Sequence, residues 1–266
     1  MPQRKPEVAL VVYIYSMPKA GTYFFAAFLE AMGLENTGYH IDRTEYLDTH
    51  SQPLDVNVKT PGKARVNAFF VPVVRRLTKH QVAFGHFPLP HHFDILGSEG
   101  VYICAYRDPK HTLVSEFIDF RFRRLGVNWI LPSSEPDDQA AFLLYLKKAG
   151  LKGHLNIFRE MILLRSIIES PLGPPVLKSN TIFVNFDQIR ANPDAAMPLA
   201  RFLKTELSQD EVMTRLETAF ATETKTKATE LDLDRDALWS DEAEALYAAS
   251  RFPAIKAMAE ALGLEF

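Results

Sequence analysis

Apolar residues follow two rhythms along this chain. Val8 to Tyr15 is a short, β-branched and aromatic run with almost no polar interruption, the pattern of a strand buried on both faces. Gln81 to Gly85, Val101 to Ala105 and Thr181 to Phe186 repeat it. The stretches between them read as helices. These are Thr22 to Met32, ended by Gly33, then Lys63 to Thr78, and Pro109 to Arg124 with Pro in its first turn. Asp137 to Lys148, Leu155 to Ser170 (closed by the breakers Pro171 to Pro175) and Asn192 to Leu203 come next. Gly126 to Pro136 reads as loop, and from Ser208 onward the chain is mainly helical. Strands alternating with helices predict an α/β fold, a central parallel β-sheet flanked by helices. No repeat, low-complexity tract or long linker divides the chain, so residues 1–266 are expected to form a single domain.

Composition narrows the function more than the fold. With 47% hydrophobic and 24% charged residues, the chain has the makeup of a globular protein with a sizeable core. Its 30 basic and 33 acidic residues nearly balance, which argues against a nucleic-acid partner. The single cysteine, Cys104, excludes an intrachain disulfide and a cysteine metal cluster, and its apolar neighbours place it in the core. Arg4 and Lys5 precede an apolar run, but Ser16-Met17-Pro18-Lys19 comes after it in place of a small-residue cleavage site. No apolar run approaches the ~20 residues of a membrane helix. The expectation is a cytoplasmic protein without a membrane span.

Two strand-to-helix junctions carry candidate chemistry. After the first strand comes Pro18-Lys19-Ala20-Gly21-Thr22-Tyr23. Gly21 allows close backbone approach, and a helix starting at Thr22 offers unpaired N–H groups and a positive dipole end, an anion site. Lys19 adds charge and Thr22 a hydroxyl. Lys here precedes the Gly, so the segment is not a Walker A loop, and an ordinary strand–turn–helix connection would use the same residues. The second junction is Arg107-Asp108-Pro109-Lys110-His111-Thr112-Leu113-Val114-Ser115. Arg107 stands at a strand's carboxyl end, where open α/β sheets bind ligands, and Ser115 lies two turns into the helix. Together they suit a phosphate. The alternative is that Arg107 pairs locally and Ser115 is an ordinary helix residue.

In this order the two segments resemble those of the sulfotransferases that use 3′-phosphoadenosine-5′-phosphosulfate (PAPS). The family's donor loop, Pro-Lys-Ser/Ala-Gly-Thr, is matched by Pro18 to Thr22, and its 3′-phosphate segment by Arg107 to Ser115. A third likeness runs from Phe183 through Asn192-Pro193 to Arg201-Phe202-Leu203. The resemblance covers roughly residues 8 to 205. It implies a P-loop-like sulfotransferase architecture, PAPS as donor and desulfated PAP as product. Sulfuryl carries less negative charge than phosphoryl, so no metal is required, and the acceptor is expected to be a hydroxyl or amine of an unidentified small molecule. The resemblance also implies that Pro18, Lys19, Ala20, Gly21, Thr22, Tyr23, Arg107, Ser115 and Phe186 line the donor site. The family's catalytic His, in a Gly-His-x-Pro context, is matched by His86 in Gly85-His86-Phe87-Pro88. A His with its pKa near 6.5 suits removal of an acceptor proton at neutral pH. Lys19 is then expected to stabilise charge on the leaving nucleotide.

Departures from the family are visible too. Tyr23 replaces a second hydroxyl residue of the loop, Phe84 a common Lys, and Phe186 a common Tyr. The family's Arg-Lys-Gly closing segment is absent, with Thr224 to Lys227 and Leu238 to Ser240 as substitutes. Phe87, Phe93, Phe117, Phe120, Phe122 and Trp129 read either as an acceptor pocket or as core. Loops at Gln52 to Pro61 and Gly126 to Pro136 are candidate lids. The competing functions are a P-loop kinase or NTPase and a non-catalytic PAP-binding protein.

Overall fold

A computed structural model describes residues 11–42, 45–50, 66–87, 100–124, 127–222 and 233–266. Its centre is a seven-stranded sheet. The strands are β1 (Val11–Ser16), β2 (Glu35–Asp42), β3 (Glu45–Asp48), β4 (Val66–Phe69), β5 (Gln81–His86), β6 (Gly100–Tyr106) and β7 (Thr181–Asn185). Their spatial order is β4-β3-β2-β5-β1-β6-β7. From β2 to β7 every neighbouring pair is parallel, and β3 and β4 add an antiparallel edge. The four strands read as apolar runs are β1, β5, β6 and β7, and they stand side by side.

Alternation within the strands sorts the core into two layers. Tyr13 and Tyr15 of β1, with Tyr102, Cys104 and Tyr106 of β6, face one layer. Val12, Ile14, Val101, Ile103 and Ala105 face the other. The first layer is covered by α3 (Pro109–Ile118), α4 (Asp138–Tyr145), α5 (Leu151–Glu169), α10 (Asp241–Ala249) and α11 (Phe252–Ala261). The second is covered by α1 (Thr22–Ala31), α8 (Met197–Phe202) and α9 (Gln209–Ala221). Shorter helices are α2 (Val71–Val74), α6 (Pro175–Asn180) and α7 (Phe186–Ala191). Cys104 is fully buried, and burial holds its thiol well above the usual range.

Several expected helices change character. The span Lys63 to Thr78 is not one helix. Val66–Phe69 forms the edge strand β4, paired with β3, and only the short α2 comes after it. The segment is rich in Val and Phe, which favour a pleated edge. Pro72 sits in the first turn of α2, where its missing N–H and its ring bar the helix from reaching back into β4. The helix expected over Pro109 to Arg124 leaves α geometry at Ile118 and continues as a π-helix over Asp119–Arg124. The helix expected over Asp137 to Lys148 runs as α4, then as a π turn over Leu146–Gly150, and passes directly into α5. Asn192 to Leu203 divides into a 3₁₀ turn, Pro193–Ala196, and α8. Of the candidate lids, 52–61 lies outside the described residues, and a 3₁₀ turn, Asn128–Ile130, lies within 126–136. No helix among the described residues is long and apolar enough to cross a membrane.

Candidate active site

The strand order sets the site. The carboxyl ends of β5, β1, β6 and β7 form a row carrying, in turn, His86, the Ser16–Thr22 turn, Arg107 and Phe186. Adjacent strands lie ~4.8 Å apart, so these segments, up to 170 residues apart in sequence, become near neighbours. The turn is tied to its neighbour by Met17 N–H donating to the Ala105 carbonyl at 3.0 Å. It closes on itself through Ala20 N–H to the Met17 carbonyl at 3.1 Å. Lys19 (φ 65°) and Gly21 (φ 84°) both take the left-handed conformation. Gly21 is the N-cap of α1 and offers no side chain to its first N–H groups. The first N–H groups of a helix have no partner within it, which makes such an end a candidate for an anion. A Cβ on Gly21 would stand 2.5 Å from a ring carbon of Phe186, so glycine is also required sterically.

His86 is anchored through Nδ1. Its Nδ1–H donates to the Ser16 carbonyl at 2.9 Å. A carbonyl only accepts, so in the neutral ring the proton is on Nδ1 and the lone pair on Nε2. Ser16 is fully buried, and its hydroxyl shares a 2.6 Å hydrogen bond with Thr22. Beside His86 stands His40 of β2, with ring centroids 5.0 Å apart and near-perpendicular planes. The Tyr23 phenol and His40 Nδ1 share a 2.9 Å hydrogen bond.

The β6–β7 end is ionic. Arg107 is nine-tenths buried; its Nε donates to Asp187 at 2.7 Å, and its guanidinium packs 5.5 Å from the Phe186 ring centre. Another guanidinium nitrogen reaches the Lys19 carbonyl at 3.4 Å. His111 donates from Nδ1 to the second Asp187 oxygen at 2.7 Å. The hydrogen bond to Asp187 raises the His111 pKa against the opposing effect of burial. Burial pushes the Asp187 carboxyl up, but His111 and Arg107 outweigh it and hold the group below its ordinary value. Burial lowers the Arg107 pKa, countered by Asp187.

Two further groups bear on Lys19. Its ammonium pairs with Asp119 at 2.8 Å, both side chains nearly closed to solvent. Glu116 accepts hydrogen bonds on one oxygen from Tyr145 and from His154 Nε2, the latter at 2.6 Å. Burial raises the Glu116 pKa, but His154, Tyr145 and the Lys19 charge bring it down to about 2. Sequence reading gave no role to Ser16, His40, Glu116, Asp119, His154 or Asp187. Only Asp187 had a signal, within the Phe183–Ile189 likeness.

The structure therefore brings together Pro18 to Tyr23, His86, Arg107 and Phe186. Ser115 lies half-buried, two turns along α3 from Arg107. Residues 224–227 and Phe93 lie outside the described residues. Trp239 packs against Phe142 and Tyr247 and beneath Lys110. Phe87 and Phe117 are fully buried in the core, and Phe120, Phe122 and Trp129 pack against it.

No protein-family model and no curated protein sequence matches the chain. Solved structures do. A mouse sulfotransferase, SULT7A1, complexed with PAP, is 15% identical over 95% of this chain and 89% of its own, with a TM-score of 0.53. Retinol dehydratase, in complex with androsterone and the inactive cofactor PAP, is also 15% identical, over 81% of this chain and 65% of its own, at a TM-score of 0.50. The structural match over 95% of the chain, on a parallel sheet flanked by helices, gives this chain the sulfotransferase fold.

Proposed function

We propose that this protein transfers a sulfuryl group from PAPS to a hydroxyl or amine of a small-molecule acceptor and releases PAP. The observation that carries the reading is the anchored His86, set one strand away from a glycine-started helix on the carboxyl edge of the sheet. Binding of a nucleotide alone has no use for a base there, and a kinase loop would carry Gly-Lys-Ser/Thr. A fold relative solved with androsterone supports a small acceptor. The buried, lone Cys104 suits the reducing cytoplasm.

In this reading the N–H groups of Gly21 to Tyr23 and the Thr22 hydroxyl hold the 5′-phosphosulfate. Arg107 and Ser115 hold the 3′-phosphate, and Phe186 lies beside the adenine. His86 Nε2 takes the acceptor proton as the acceptor atom bonds to sulfur. The bond from sulfur to the phosphate oxygen breaks, and the Lys19 ammonium stabilises the charge left on that oxygen. Positioning and fixed charge supply most of the rate, as in phosphoryl transfer.

Calorimetric titration with PAP, beside ATP and GTP with Mg²⁺, tests the donor. The expected result is metal-independent PAP binding that weakens about 10- to 100-fold in Arg107→Ala, the scale of a lost charge-assisted contact. Mg²⁺-dependent ATP binding without PAP binding would replace this reading with a kinase or NTPase. PAP binding with PAPS never consumed would leave a binding protein.

A further inference from the structure

Lys19 is held at both ends. Its backbone carbonyl accepts from Arg107 at 3.4 Å, and its ammonium meets Asp119 at 2.8 Å. Between these two contacts the residue keeps a left-handed φ of 65°, which a non-glycine residue adopts only where its surroundings fix it. Asp119 is itself placed by a change of helix type. It is the first residue of the π-helix that continues α3, and it is 3% exposed although it begins a segment containing three arginines.

Burial alone would disfavour the charged form of a lysine here, since an ammonium out of water loses its hydration. The groups facing Lys19 decide its state. From the π segment comes the Asp119 carboxylate in direct contact, and from α3 comes the charge of Glu116, itself held by Tyr145 and His154. From the end of β6 comes the Arg107 guanidinium, whose like charge is turned onto the Lys19 carbonyl and Asp187. The Asp119 and Glu116 carboxylates thus stand against the Arg107 guanidinium.

We infer that Asp119 is a positioning residue for Lys19: it keeps the lysine charged and fixed on the donor loop, where the proposed transfer needs an ammonium. The charge and placement of Lys19 come from the ion pair itself. Only its use on a sulfuryl donor rests on the function proposed above.

The test tracks the side-chain ammonium resonance of Lys19 by ¹⁵N-lysine NMR, assigned by its loss in Lys19→Met. In the parent protein Lys19 stays charged from about pH 7 to about pH 9, and in Asp119→Asn its titration midpoint falls by about one unit or more. PAP affinity, flat over that range in the parent, then declines about tenfold with rising pH in the variant. Asp119→Glu, which keeps the charge, restores most of the flat profile. A Lys19 that titrates alike in parent and Asp119→Asn overturns the inference. If Asp119→Asn does not fold, acylation of the parent decides: Lys19 should react far more slowly than exposed Lys147 and Lys178, and equal rates overturn the ion pair. A parent that shows the charged Lys19 but binds no PAP leaves this inference standing and removes the donor reading instead.

Discussion

The two ends of the strand-edge row are built from different chemistry. Around β5 and β1, Ser16, Thr22, Tyr23, His40 and His86 meet through hydroxyls, imidazoles and a backbone carbonyl. Around β6 and β7, Arg107, Asp187 and His111 meet through ion pairs, and Arg107 rests on an aromatic face. Neutral hydrogen bonds orient an imidazole without setting a fixed charge beside it. Ion pairs fix a charge, and a guanidinium keeps its proton at any working pH. In the proposed reaction the first end moves the proton and the second holds an anion. Lys19 joins them, its loop on β1 and its carbonyl bonded to Arg107.

The contrast is open to direct attack. The largest effect is expected from His86→Ala, which should lower sulfuryl transfer by roughly 10²- to 10⁴-fold, the usual worth of a general base. PAP affinity, measured by calorimetry, should stay within about twofold, because the ring serves the proton and not the nucleotide. Equal losses of turnover and affinity would merge the two ends into one binding surface.

A smaller effect is expected where the ends touch. Gly21→Ala places a Cβ against the Phe186 ring and asks alanine to adopt φ 84°. The left-handed conformation alone should cost about 1–2 kcal/mol in thermal unfolding. Adding Phe186→Ala removes the collision and leaves the backbone cost, so comparing single and double variants separates the two. A Gly21→Ala protein as stable as the parent would show that the loop is not held in this shape.

The smallest effect should sit at the ionic end and depend on pH. The His111 pKa is raised in the folded protein by its bond to Asp187. Its stabilising contribution is therefore fully present below the ordinary value of 6.5 and is lost as pH rises through the raised folded value. The difference in unfolding temperature between parent and His111→Ala should be greatest in mildly acidic buffer and vanish on the alkaline side. The exposed ring keeps the effect small. A difference that grows with pH would mean that another group controls this end.

What the chain discloses before folding respects the same division. β1, β5, β6 and β7 are legible because strands buried on both faces must be apolar throughout. The Pro18–Thr22 turn and Arg107 are legible because a tight turn and a strand-end cation use few residue types. The β2 side of the sheet is not. β2 carries Glu35, Asn36, His40 and Asp42, is mostly half-exposed, and turns at Gly38 with φ 70°. Its neighbours, and not its apolar pattern, make it a strand. Asp119 is hidden for another reason: within Phe117-Ile118-Asp119-Phe120 it reads as one polar position on an α-helix, and the shift to π geometry has no residue signature. Glu116 and His154 are 38 positions apart and meet only through tertiary packing.

The π turn at Leu146–Gly150 also bears on how relatives of this chain would align. The turn carries one residue more than regular α geometry needs, and Gly150 leaves room for the Tyr145 ring beside it. Deleting that residue would let the segment close into regular α geometry, and because the wide turn already absorbs the extra position, α5 would keep the face it presents to the sheet. His154 would still meet Glu116. A homologue with a one-residue gap here would therefore keep the strands, the loop after β1 and this histidine–carboxylate pair. A position-by-position comparison without the gap would put His154 one place out of register and hide the pair.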